Sequence, residues 1–302
     1  HLHRALSYLG APFPTTRLHG RTMMILTFFK QIQHNIIGGK IKQNQTTELM
    51  LEFLKIREIL GFIYYFTNRE YLLYNIISLI NYSEKHGFLS GMIKSYASLV
   101  LVLDNIGKFN YSKIYLNKID NILHLKKSED DLAYINHIKG YHYDCLCLWK
   151  KSHSYLEKAI NTYLKKSFIK LWAAANTTRL LIEFHIEKKG KYIYSIKKDI
   201  SDMKKIGIES GDNQILSWSL NIEGLYHLYI NSYKEAEFNF NKALNILIEV
   251  PDYYIYLHSS ALLSEAFIQQ NKLEYAHSTL KNSKHIIKKY KLVGPFVCGI
   301  LV

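Results

Sequence analysis

Five short turns of one form recur along the chain at a nearly fixed interval, and that interval limits the folds open to it. Gly107-Lys108-Phe109 is followed by Ser112, Gly190-Lys191-Tyr192 by Ser195, Asn231-Ser232-Tyr233 by Ala236, and Asn271-Lys272-Leu273 by Ala276. Trp149 with Ser152 keeps the register without the glycine. The anchors at 109, 149, 192, 233 and 273 stand 40, 43, 41 and 40 residues apart. A period of this size marks a repeat architecture, in which a unit too small to bury its own apolar face is stacked many times.

Upstream of each turn runs an apolar segment with helical spacing. Gly140 and Gly224 each lie nine positions ahead of their anchors, Ser264 takes the matching place, and Gly61 extends the series one repeat earlier. Three residues further on stand Tyr64, Tyr143, His227 and Phe267, on the same helical face. A residue without a bulky side chain lets a neighbouring helix come close, and the aromatic fills the space beside it. Ala236 and Ala276 do the same on the helix after the turn. Each period therefore predicts two helices packed through small residues. Four prolines and 15 glycines are too few turn residues for an all-β sandwich or barrel. With 48% hydrophobic and 21% charged residues, disorder is excluded. Three cysteines cannot make a disulfide framework in a chain of 302 residues, which predicts a reducing, cytoplasmic setting. Apolar runs such as Ile59 to Phe66 fall short of the roughly 20 residues that span a bilayer, so no membrane role is expected.

The units resemble the tetratricopeptide repeat, with its Gly then Tyr in the first helix, its Gly-x-Tyr turn and a small residue three on. Lys158-Ala159-Ile160 and Lys242-Ala243-Leu244 match that family's step in the second helix. The resemblance implies an all-α fold: an α-α superhelix, a solenoid of antiparallel helix pairs with a period of about 41, covering residues 44–291 as six pairs. The period exceeds the family's usual value of about 34, so the helices are longer. The fourth pair, around Glu183 and Ile186, lacks the Gly and Tyr. Ahead of the array, His1-Leu2-His3-Arg4-Ala5-Leu6, then Leu9-Gly10-Ala11-Pro12-Phe13-Pro14 and Arg17-Leu18, is similar to a linker of large bacterial signalling proteins. There it joins a nucleotide-binding ATPase to a helical array in cyclases, protein and histidine kinases and LuxR-type regulators. Residues 1–43 are accordingly read as a helical linker, its first helix stopped by Pro12 and Pro14 and its second, from about Arg17 to Ile37, closed by Gly38-Gly39. Residues 292–302 are read as the start of a further, truncated helix. The apolar run to Val302 and the missing initial Met make the chain read as an internal piece of a longer polypeptide.

Candidate chemistry is sparse. Gly38-Gly39-Lys40 lacks the leading Gly that a phosphate loop needs upstream of its Gly-Lys, and has Ile41 where it needs Ser or Thr. His137, His142, Cys145, Cys147 and His153 form the one cluster of metal-ligand types, but on a helix Cys145 and Cys147 point about 200° apart, so no metal site is expected. Glu129-Asp130-Asp131 falls at a helix start, where acids favour the dipole. Neither a Gly-x-Ser-x-Gly elbow nor a His-Glu-x-x-His pair occurs, so neither catalytic residues nor a cofactor are expected in this segment. That leaves binding. The resemblance implies a concave groove lined by first helices, with Lys94, His137, Tyr141, Asp144, Trp218 and Asn221 facing it. Its occupant is expected to be a protein or peptide, a small inducer, or the ATPase and output domains of the same polypeptide. Tyr141 and Leu225 stand where a carboxylate clamp needs Asn, so no such clamp is expected. The net charge of +14 is carried by scattered lysines. They accompany abundant Ile, Asn and Tyr with scarce Ala and Arg, the mark of an AT-rich coding sequence. A solvated basic surface is therefore preferred to a nucleic-acid-associated regulator, and a free-standing adaptor is the other alternative.

Overall fold

The structure, a computed structural model, describes residues 1–14, 16–37, 45–125, 128–186, 193–250 and 252–290. Every regular element among them is an α helix. Two helices lead, α1 (Leu2–Tyr8) and α2 (Arg17–Ile37). Six pairs follow: α3 (Glu48–Thr67) with α4 (Arg69–His86), α5 (Leu89–Asn105) with α6 (Phe109–Leu123), and α7 (Glu129–Cys145) with α8 (Trp149–Lys165). Next come α9 (Ile169–Ile186) with α10 (Ile193–Ser210), α11 (Asn213–Tyr229) with α12 (Tyr233–Glu249), and α13 (Tyr253–Gln269) with α14 (Leu273–Tyr290). The fold is thus the expected all-α array of antiparallel pairs. Four of the five anchors, Phe109, Trp149, Tyr233 and Leu273, are the first residue of a second helix. Gly190 and Tyr192 lie outside the described residues, as do Gly38-Gly39-Lys40 and 292–302. Second helices start 40 residues apart except at the fourth pair, where Trp149 to Ile193 is 44.

The turns repeat because their backbone chemistry repeats. Two residues before each of these four anchors the chain enters the left-handed region, at Gly107 (φ 71°), Cys147 (φ 56°), Asn231 (φ 61°) and Asn271 (φ 60°). In each case that residue's N–H and the next one's bond back to carbonyls of the last helical turn. Asn231 N donates to Leu228 O (3.1 Å) and Ser232 N to His227 O (2.8 Å); Cys147 N donates to Asp144 O (2.8 Å) and Leu148 N to Tyr143 O (2.9 Å). This paired closure satisfies carbonyls that a helix end leaves bare. The first pair differs: Asn68 alone separates α3 from α4, extended at φ −159°, and its side chain caps α4 through Tyr71 N.

Small residues sit where helices touch. A Cβ on Gly224 would stand 2.6 Å from a Phe240 ring carbon, and one on Gly140 2.6 Å from Leu156 Cγ. Ser152 Oγ donates to Gly140 O at 2.6 Å, which ties α8 to α7 at the same point. Ala159, Ala236, Ala243 and Ala276 are buried on the second helices. Gly61 departs from this pattern. A Cβ there would meet only the Asn75 amide, at 3.4 Å, because the one-residue turn sets α4 in a different register.

The described residues fall into two compact units. The first comprises His1–Leu103 with Lys108–Ile135, and the second Asp104–Gly107 with the described residues from Asn136 on. In the first, Leu6 and Phe13 of the leading segment share a core with Phe53, Leu54, Leu60, Tyr64 and Tyr74. Residues expected to be a linker are therefore packed onto the first pair. In the second, Phe240, Leu263, Ala266 and Phe267 build one core cluster, and Leu220, Ala243 and Leu247 another. Among the described residues no helix is long and apolar enough to cross a membrane.

Candidate interaction surfaces

In the first unit α2 is held against α4 by its polar side chains. Gln31 Nε2 donates to Glu84 Oε1 (3.1 Å), His34 Nδ1 lies 2.8 Å from Glu84 Oε2, and Asn81 Nδ2 donates to Thr27 O (2.9 Å). Met23 and Met24 pack on the core. The remaining face carries Leu18, Ile25, Phe29 and Ile32, spaced by seven, four and three residues, and all are exposed. Leu18 is 78% and Phe29 64% exposed, and Leu26 and Phe28 flank the stripe. Scattered apolar residues on a surface mean nothing by themselves, but a contiguous stripe is the kind of patch that marks an interaction site.

The residues expected in the groove are placed as follows. In the first unit Lys94 Nζ sits 3.8 Å from the centre of the Tyr134 ring and 3.5 Å from Glu58 Oε1, joining successive first helices. In the second, three residues on one face of α7 are half-buried. His137 faces the Tyr163 hydroxyl at 3.5 Å, and desolvation lowers its pKa to about 4. Tyr141 donates its hydroxyl hydrogen to Asn105 Oδ1 (2.7 Å), while burial raises the Asp144 carboxyl to about 6. Trp218 and Asn221 lie inside. Trp218 Nε1 donates to Asp252 Oδ2 (3.1 Å), and that carboxylate also accepts from Gln214 Nε2 (3.0 Å) while capping α13 through Ile255 N. Lys170, at the place of Gln214 one repeat earlier, likewise donates to Asp212, the cap of α11, at 2.7 Å. Asn221 is fully buried and accepts from Ser259 Oγ at 2.8 Å. Both residues are thus used to hold the next first helix in place.

The histidines and cysteines do not converge: among the described residues no three groups of metal-ligand type come together. His142 is taken by Asp104 at 3.0 and 3.1 Å, and Cys147 sits exposed in its turn. Burial pushes the Cys145 thiol up to about 12, with the Asp104 and Asp144 charges adding to it.

Sequence reasoning missed a cleft of about 310 Å³ in the second unit, between α8, α9 and α10. Ile160, Leu164 and Trp172 give it an apolar wall, and Glu157, Asn176, Arg179, Lys198, Asp199 and Asp202 a polar one. Arg179 is fixed within it. Its Nε and Nη2 donate to Asn176 Oδ1 (3.1 and 2.7 Å), and it pairs with Glu183 and Asp199. His153 Nε2 reaches the same Glu183 Oε1 at 3.0 Å. Two signals in the sequence mark the place: the 43-residue spacing at the fourth turn, and Asn176, Arg179 and Glu183 at helical spacing in one first helix. Nothing in periodicity alone says that such residues border open space.

Fold and geometry together define a class, an all-α helical repeat built of antiparallel helix pairs. No protein-family model matches the chain, and no curated protein matches it. Among solved structures it is similar to the crystal structure of BtubC (BKLC) from P. vanneervenii, with a TM-score of 0.51 at 12% identity over 83% of this chain and 95% of that one. The apo form of RapI aligns with a TM-score of 0.48 at 12% identity, over 89% of this chain and 75% of that one. At such identity the likeness to BtubC is one of fold alone.

Proposed function

We propose that this chain is a protein-interaction and sensory module with no catalysis or cofactor of its own. The observation that carries the reading is the exposed stripe of α2, where Leu18, Ile25 and Phe29 offer a partner an apolar surface on a helix already anchored to the array. Lys94, His137, Tyr141 and Asp144 keep partial exposure and are proposed as further contact positions. Trp218 and Asn221 are assigned to holding the array together. The proposed setting is a cytoplasmic bacterial signal-transduction protein whose ATPase or output domains receive the binding signal. The likeness of residues 1–18 to the linker of such proteins supports it.

The test compares the wild-type chain with Ile25→Asp/Phe29→Asp as bait in an extract of the source cell. A defined protein held by the wild type and released by the variant, with unchanged helix content, is the expected result. Equal retention by both, or none by either, would contradict the reading. The alternative of a nucleic-acid-associated segment rests on the net charge of +14. Against it, that charge is spread over scattered lysines, of which Lys170, Lys204 and Lys272 each form an ion pair of 2.6 to 2.7 Å. Retention on DNA that falls steeply with salt would favour that alternative.

A further inference from the structure

We propose that the cleft between α8, α9 and α10 receives a basic side chain from a peptide segment of the partner protein, with Asn176 donating to the backbone carbonyl beside it. This rests on the reading of the chain as a protein-interaction module and names a second contact with its own chemistry.

The charge of the cleft runs against that of the chain. Glu157, Asp199 and Asp202 line it, with Glu183 behind, against two permanent cations, Arg179 and Lys198, on a chain of net charge +14. Arg179 is already neutralised by Glu183 and Asp199. Asp202 has no partner among the described residues, and the one partner of Glu157 is His153, 3.6 Å away. Unspent negative charge therefore faces the opening, beside Ile160, Leu164 and Trp172, which suit the aliphatic stem of a long cation.

A second, independent feature points to a peptide rather than a free amine. Asn176 is 1% exposed, and its Nδ2 has no hydrogen-bond partner. The orientation of this amide is settled by Arg179, which donates twice to Oδ1; the reverse would set two donors against each other. A buried N–H left unpaired in a cleft calls for an acceptor brought by the ligand, and a peptide carbonyl next to the basic side chain is one.

The experiment titrates the full chain with three probes and follows the Trp172 indole N–H by NMR, assigned with Trp172→Phe. The probes are N-acetyl-arginine N-methylamide, its uncharged citrulline counterpart, and n-butylguanidine, which keeps the guanidinium and its single charge but lacks the carbonyl. The capped arginine is expected to give a saturable shift, with the citrulline compound about tenfold weaker and n-butylguanidine weaker severalfold. Glu157→Gln/Asp202→Asn, which leaves the Arg179 network intact, is expected to weaken the capped arginine about tenfold at unchanged melting temperature. No saturable shift, equal binding of the citrulline compound, or indifference to the double variant overturns the proposal. Equal affinity for n-butylguanidine and the capped arginine overturns the peptide part of it. Loss of this binding while capture through α2 persists removes the cleft alone; arginine binding without any α2-dependent capture removes the broader reading instead.

Discussion

Cys147 takes a left-handed backbone (φ 56°) at the place where other repeats use Gly107, Asn231 and Asn271. A side chain in that region costs about 1–2 kcal/mol relative to Gly, less the entropy a Gly gives up on folding. Cys147→Gly is therefore expected to raise unfolding free energy by about 1 kcal/mol and Gly107→Ala to lower it by a similar amount, read from urea midpoints. A pair of opposed titrations on α7 gives a second prediction. Burial raises Asp144 from 3.8 to about 6, so the native state holds a proton that the unfolded chain has released. Its cost grows as pH rises from about 4 to 6, and Asp144→Asn should gain about 1–2 kcal/mol at pH 7 and nothing at pH 4. His137, lowered from 6.5 to about 4, works the other way: the unfolded chain protonates first, so stability falls as pH drops through that window. His137→Gln is expected to remove that loss, and thermal melts across pH 4–7 would show both effects separately. At this scale the sequence was readable where a residue type has one backbone use. Gly107, Asn231 and Asn271 announced their turns; Cys147, which has no turn preference, was found only through its neighbours' spacing.

Among the elements, the close approaches α7–α8 and α11–α12 rest on one glycine each. Gly224→Ala would drive a methyl into the Phe240 ring, at an overpacking cost of about 1–3 kcal/mol that the better helix propensity of Ala offsets only in part. Gly61→Ala, with only the Asn75 amide at 3.4 Å, should be tolerated. Trp218→Phe is expected to cost about 1–3 kcal/mol by removing one donor from the Asp252 cap, at a point where α11 grips α13. Melting temperatures of the three variants check the ranking. Helix boundaries were legible because the anchors recur, and four of the anchors mark the first residue of a second helix. Which neighbour a face meets was not legible. Trp218 and Asn221 share a face by spacing, yet spacing cannot tell an open groove from the flank of the following helix. The same limit hid the cleft, since Asn176 and Arg179 would read alike against a packed neighbour or open space.

For the molecule as a whole, the proposed role in recognition rests on its exposed surface rather than on its charge. The net charge of +14 already subtracts the acids, so an ion pair such as Lys94 with Glu58 leaves it unchanged, but its lysines are scattered along the chain rather than gathered into one run. The chain should accordingly pass through a DNA column at physiological salt. The exposed stripe of α2 has the opposite standing: among the described residues it joins no core, yet the helix that bears it is pinned by Glu84. The most direct measurement is hydrogen exchange of the chain with and without the protein that it captures. Slowed exchange across residues 17–37 in the complex is what the account predicts. An α2 that exchanges at the same rate with a partner bound would contradict it.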